Sequence, residues 1–318
     1  MTRWPNHAEP WRQWRDALGG ERMHHGWLLS GKAGVGKRDF ALAAARELVA
    51  EPGVPQPQGD HPDILTLTYG PKDDKAEKAQ ADGKSFELAR SIRIKQIRAM
   101  QRRLSTRPTL GARRAIIIDP ADDLEKSAAN ALLKSLEEPP VGTFFLLVSH
   151  RPARLLPTIR SRCRTLRFPA LTDSQLAAML EDGGLPVDPA AIAAAEGSFG
   201  VALRFASQDL NPLAQVIVSL LSTRDIDFQQ RGQLARLIGP RADRERVQAV
   251  LDLAQGLVAR AARTSEEPYQ RARLIDTHAA LVSLAAEAPT ANFDPGMLPF
   301  EIGTLLVSAA PASEPAHG

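Results

Sequence analysis

The sequence predicts an α/β domain built on a parallel, doubly wound sheet and followed by helical domains. Three observations carry that expectation. Over residues 1–169, short apolar or β-branched runs alternate with helical spacings, the pattern of a parallel sheet clothed by helices on both faces. The run Ser30-Gly31-Lys32-Ala33-Gly34-Val35-Gly36-Lys37 lies between one such strand and an alanine-rich helix, the setting of a phosphate-binding loop. Beyond Leu171 the strand signals fade and only helical spacing remains.

Taken in order, residues 11–18 read as a short helix, 27–30 as a buried strand and 39–50 as a helix of strong formers. Three prolines and two glycines over 51–60 make a loop, and 64–67 a second strand. Residues 70–90 are expected to be a flexible insertion, because their Lys, Asp, Glu and Ala supply little that a core would hold. A helix over 94–104 precedes a strand at 115–119, whose β-branched run suits a central position. The helix at 128–136 stops before Pro139-Pro140. A strand at 144–148, a short turn or helix at 155–160 and a strand at 164–168 complete the domain.

Helical spacing then recurs over 172–182, 189–196, 200–207, 214–221, 228–238, 244–262 and 269–288. Domain sizes suggest a small helical domain over 170–209 and a larger one over 210–318, with 311–318 as a frayed tail.

The chain has 318 residues, 43% hydrophobic and 24% charged, near globular averages. No stretch approaches the ~20 apolar residues of a membrane helix. The first residues lack the apolar core of a signal peptide, and the single cysteine, Cys163, excludes an intramolecular disulfide. A cytoplasmic protein is expected. The net charge of +3 is too small to identify a nucleic-acid partner. Between Arg90 and Arg107, however, lie seven basic residues and no acid. Arg98, Arg102 and Arg103 in this run are candidates for DNA phosphate contact; a solvated helix face is the plainer alternative.

In a working phosphate loop the glycines let backbone N–H groups wrap the phosphates, the lysine reaches the β/γ-phosphates and a terminal Ser or Thr ligates Mg²⁺. Gly31, Gly34, Gly36 and Lys37 meet this pattern, but Arg38 stands at the hydroxyl position. A guanidinium has no lone pair for a metal. Asp119 ends a buried strand and fits the metal-facing acid, yet Pro120 follows where a water-orienting glutamate is expected. Arg38 is placed to pair with Asp119, and Asp122 and Asp123 read as caps of the next helix. Both losses fall on hydrolysis and leave the loop's own architecture intact.

The segments His25-Gly26-Trp27-Leu28-Leu29-Ser30-Gly31, Ala128-Ala129-Asn130-Ala131-Leu132-Leu133-Lys134-Ser135-Leu136-Glu137-Glu138-Pro139-Pro140 and Ser161-Arg162-Cys163, with the altered loop, resemble the bacterial clamp-loader AAA+ family. The resemblance covers residues 24–169 and is weak beyond about 210. It implies an AAA+ P-loop domain, a small helical lid domain and an all-α collar. It implies partners too: gamma/tau motor subunits and a delta subunit, with the sliding clamp and primed DNA, within a DNA polymerase holoenzyme. Arg162 would be an arginine finger reaching the ATP of a neighbouring subunit; pairing with a local acid is the alternative.

Departures from the family pattern shape the expected role. The zinc module's four cysteines are missing, so no zinc is expected. Gly200 stands at a sensor arginine's position with Arg204 one turn on, and Ser149-His150 replaces a Thr-Asn or Ser-Asn sensor. A non-hydrolysing subunit requiring no cofactor follows, with ATP or ADP binding left open. An active ATPase of the gamma/tau type, a nucleotide-binding sensor without hydrolysis and a stand-alone DNA-binding protein are the alternatives. Trp11 and Trp14 at helical spacing read as packing, Cys163 as structural, and His24, His25 and His61 as lacking a metal-ligand constellation.

Overall fold

A computed structural model describes residues 4–20, 23–239, 242, 244–287 and 297–311. The expected tail at 311–318 therefore lies almost wholly outside the described residues. The chain divides into two compact units, residues 1–170 and 171–318.

The first unit is a five-stranded parallel sheet in the order β2-β3-β4-β1-β5, formed by β1 (Gly26–Ser30), β2 (Ile64–Leu67), β3 (Arg114–Ile118), β4 (Thr143–Ser149) and β5 (Arg164–Arg167). Its helices are α1 (Ala8–Leu18), α2 (Lys37–Val49), α3 (Asp74–Ala81), α4 (Ile94–Leu104), α5 (Lys126–Glu137) and α6 (Pro157–Arg160). Strand alternation sorts the core into two layers. Leu28, Ile116, Ile118, Phe145 and Leu147 face Ile97, Met100, Leu132 and Leu136 of α4 and α5. Trp27, Leu29, Ile117, Leu146 and Val148 face Trp14 of α1 and Phe40, Ala44 and Leu48 of α2. Each large apolar side chain so buried contributes about 1.5–3 kcal/mol. Trp14 and Trp27 are fully buried with rings 5.3 Å apart, and Trp11 meets Phe40 at 4.3 Å, so the packing assignment holds.

Residues 70–90, the expected flexible insertion, have local structure of their own. They contain α3, whose N-cap Asp73 accepts from Ala76 N at 2.8 Å. The base is closed where Lys72 N donates to Glu87 O (2.9 Å) and Ala89 N to Gly70 O (2.7 Å). The cap and the alanines suffice for a short helix once neighbours hold it.

The second unit is all helical: α7 (Asp173–Asp182), α8 (Pro189–Ala195), α9 (Phe199–Ser207), α10 (Asn211–Ser222), α11 (Gln229–Ile238), α12 (Arg244–Thr264), α13 (Pro268–Glu287) and α14 (Met297–Ser308). The division expected at 209/210 does not separate two compact bodies. The long α12 packs on α8 and α9 from one side of that point and on α10 and α13 from the other. Gly256 permits the closest approach, since a Cβ there would lie 1.9 Å from Ala194 O. Helix α14 was not among the expected elements, for Pro299 and Gly303 interrupt its sequence signal. No described helix is long and apolar enough to cross a membrane.

Candidate functional site

The sheet register delivers the candidate residues to one edge. Ser30 pairs with Ser149 at the carboxyl ends of β1 and β4, and Asp119 follows β3 directly. This is where open α/β sheets place their ligands.

The loop from Gly31 to Gly36 joins β1 to α2, with Gly34 at φ 75° and Gly36 at φ 81°. Both angles are left-handed, which favours glycine. Lys37 is 3% exposed, and its Nζ donates to Gly31 O at 2.7 Å and Lys32 O at 2.5 Å. Burial lowers its pKa to about 8, against the opposing pull of Asp119 and Asp122. Here Lys37 braces the loop's own carbonyls.

Arg38 and Asp119 face each other, as the sequence suggested. Arg38 Nε lies 3.8 Å from Asp119 Oδ2, an ion pair rather than a hydrogen bond. The Arg38 side chain is 58% exposed and that of Asp119 12%, so the pair contributes little stability. Burial raises the Asp119 pKa while Arg38 opposes the shift. Pro120 brings no acid, and Arg38 brings no oxygen that could ligate a metal.

Asp122 and Asp123 do not cap α5, whose N-cap is Glu125 with no side-chain cap bond. Asp122 instead accepts from Ser149 Oγ (2.6 Å), His150 N (2.5 Å) and Arg151 N (3.1 Å). It ties the turn after β3 to the end of β4. Asp123 accepts from Tyr69 OH at 2.6 Å. His150 is held beside Lys37, and burial followed by that cation lowers its pKa.

Trp4 was missed as a site residue. Its indole lies flat against Gly36, where a Cβ would fall 2.3 Å from two ring atoms. Its Nε1 donates to Asp39 Oδ2 at 2.9 Å, and the ring stacks on His7, whose Nε2 contacts Val35 O at 2.9 Å. A tryptophan ahead of α1 carries no signal in sequence that it will return to a loop thirty residues on.

Arg162 lies toward the opposite end of the strands, just beyond α6 and ahead of β5. Its Nη2 meets Glu137 Oε1 at 2.7 Å, its Nη1 donates to Thr158 O at 2.9 Å, and its side chain is 35% exposed. The local-acid pairing is thus present, and it leaves further N–H groups of the guanidinium unassigned. Cys163 is part-buried and burial raises its pKa to about 12, so it is held as a thiol.

A family model described as DNA polymerase III, delta subunit, matches residues 6–172. The chain belongs to that family. The DNA polymerase III subunit delta' of Pseudomonas aeruginosa strain PAO1 is 38% identical over 169 residues, 48% of this chain and 46% of that protein. The Escherichia coli subunit delta' is 33% identical over 159 residues, 45% and 42% of the two chains. The Escherichia coli subunit tau is 31% identical over 245 residues, 73% of this chain and 36% of its own length. The chain spans about half the length of the curated delta' relatives it matches. A gamma subunit-related structure from Thermotoga maritima covers 95% of this chain and 99% of its own, at 17% identity and a TM-score of 0.49.

Placed within the delta family, the other expected residues separate. Arg98 and Arg102 are exposed on α4, and their side chains have no hydrogen bond or ion pair among the described residues. Arg103, also exposed, donates to Pro62 O at 3.3 Å. Arg204 is bound inside the helical unit to Asp252, and Gly200 lies in the first turn of α9, which Ser198 caps. His24, His25 and His61 contact Gly26 O, Leu136 O and Gln56 Oε1, and no described cluster of His, Cys, Asp and Glu could hold a metal ion.

Proposed function

We propose that this chain is a non-hydrolysing, delta'-type subunit of the DNA polymerase III clamp loader, which offers Arg162 in trans to the ATP of a neighbouring gamma/tau-type motor subunit. It joins those subunits and a delta subunit in a hetero-oligomer that places the sliding clamp on primed DNA. Its own pocket does no chemistry and needs no cofactor or zinc.

The observation that carries the reading is the contrast between two sites on one sheet. At the loop, Arg38 faces Asp119 where a metal-bound hydroxyl would be needed, and Pro120 removes the water-orienting acid. At the other site, the Arg162 guanidinium is held but partly exposed. A guanidinium delivered across an interface neutralises charge that develops on the γ-phosphate, worth roughly 10³–10⁵ in rate. In the complex reconstituted from this chain and its motor subunits, Arg162→Ala is expected to lower single-site ATP turnover by about 10³-fold. Full turnover by that variant would refute the assignment.

DNA contact through α4 is part of the same reading. Arg98 and Arg102 are four apart, and uncompensated like charges at that spacing disfavour a helix; a polyanion offsets that cost. Replacing both with Ala, and Arg103 in a second variant, is expected to reduce the salt dependence of the complex's DNA affinity by about one unit of slope per lost phosphate contact.

A second reading, a nucleotide-binding sensor without hydrolysis, draws on the left-handed Gly34 and Gly36 and the retained Lys37. Calorimetric titration of the chain with ATP and ADP separates it from the first.

A further inference from the structure

Glu137 ends α5, and the Pro139-Pro140 pair that follows stops the helix there. An acid at a helix C-terminus opposes the macrodipole, so helix stability does not account for it; Glu138 beside it only adds to the mismatch. What Glu137 does have is Arg162, with Oε1 2.7 Å from Nη2.

The guanidinium is held at both terminal nitrogens. Glu137 takes Nη2, and the carbonyl of Thr158, in the first turn of α6, accepts from Nη1 at 2.9 Å. The backbone is pinned as well, for a Cβ at Gly26 would lie 2.8 Å from Arg162 O, so the start of β1 abuts residue 162 directly. With its backbone against the sheet, the side chain is the only part of Arg162 left to order. A long arginine free in solvent samples many rotamers, and fixing them before the encounter is what pre-organisation supplies.

We propose that Glu137 is the positioning residue for Arg162, holding the guanidinium plane so that its remaining N–H groups point off the edge of the α/β unit toward an incoming phosphate. This rests on the reading of Arg162 as an arginine finger. Glu137 touches no nucleotide itself. It acts by raising the fraction of Arg162 in one orientation, and a partly exposed pair does so by a modest factor.

The test uses the reconstituted loader with this chain as wild type, Glu137→Ala, Glu137→Gln, Arg162→Ala and the Glu137→Ala/Arg162→Ala double variant, compared at equal incorporation into the complex. Glu137→Ala is expected to lower kcat for ATP by roughly three- to tenfold with KM little changed. Glu137→Gln keeps an acceptor oxygen and is expected to recover most of that loss. In the Arg162→Ala background, Glu137→Ala is expected to leave the residual turnover unchanged. Wild-type kcat for Glu137→Ala overturns the proposal, and so does an equal fractional loss in both backgrounds, which would show a structural role. If Arg162→Ala itself leaves turnover intact, the finger reading fails first and this inference falls with it.

Discussion

Replacing Lys37 by Met, which keeps length and removes the charge, tests how the phosphate loop is held. Burial lowers the Lys37 pKa from 10.5 to about 8. One pKa unit corresponds to about 1.4 kcal/mol, so keeping the charged form in the folded protein costs about 3 kcal/mol near pH 7. The sign follows from proton binding. Between pH 8 and 10.5 the unfolded lysine retains a proton that the folded one has released, so stability rises with pH across that window and the penalty is gone above it. The Lys37→Met protein has no such dependence. It loses the two donations to Gly31 O and Lys32 O, but that difference does not vary with pH once the lysine side is accounted for. The stability difference between the two proteins is therefore expected to shift by about 2–3 kcal/mol in favour of wild type between pH 7 and pH 10. Denaturant unfolding followed by tryptophan emission suits the measurement, because all four tryptophans, at 4, 11, 14 and 27, belong to the α/β unit. A constant difference across that range would refute the burial of a charged Lys37.

Arg38→Thr restores the metal-ligating hydroxyl opposite Asp119, and is expected to gain Mg²⁺-dependent ADP binding by calorimetry without ATP turnover, since Pro120 still supplies no acid. Gly36→Ala forces a left-handed residue and drives its Cβ into the Trp4 ring at 2.3 Å; a loss of about 2 kcal/mol or more is expected in the emission assay. Adding Trp4→Ala should return the steric part and leave about 1 kcal/mol of backbone strain. Gly256→Ala places a Cβ 1.9 Å from Ala194 O, and is expected to destabilise the helical unit by about 1–3 kcal/mol or more, seen as an earlier helical transition by circular dichroism.

Features set by local spacing were legible in the sequence. The β-branched run at 116–118, the glycines at 31, 34 and 36, and the prolines after α5 each state their conformation within a few residues. The Arg38–Asp119 pair was legible for a different reason, because the loop and the strand end occupy fixed places in any parallel P-loop sheet. What escaped depends on partners distant in sequence. Asp122 looked like a cap because Asp before a helix usually is one, whereas its partners at 149–151 are the last residue of the next strand and the two that follow it. Trp4 on Gly36 and Glu137 on Arg162 are contacts of the same kind. The boundary expected at 209/210 followed domain sizes, which do not show that α12 packs on both sides of it.

The retention of Lys37 bears on which reading of the pocket holds. A buried cation that serves only as scaffold is replaceable by an apolar residue at no loss, unless its donors are needed, and here two loop carbonyls use them. The structural brace and the sensor thus make opposite demands on one ammonium group. A nucleotide phosphate at this lysine must draw Nζ away from Gly31 O and Lys32 O, and its negative charge must raise the Lys37 pKa well above 8. The ¹⁵Nζ resonance of Lys37 titrated with and without saturating ADP reads this directly. An upward shift of about one unit or more supports a sensor. An unchanged midpoint under ADP leaves Lys37 a brace, and a loop held shut by its own lysine has no further need of the hydroxyl that Arg38 displaced.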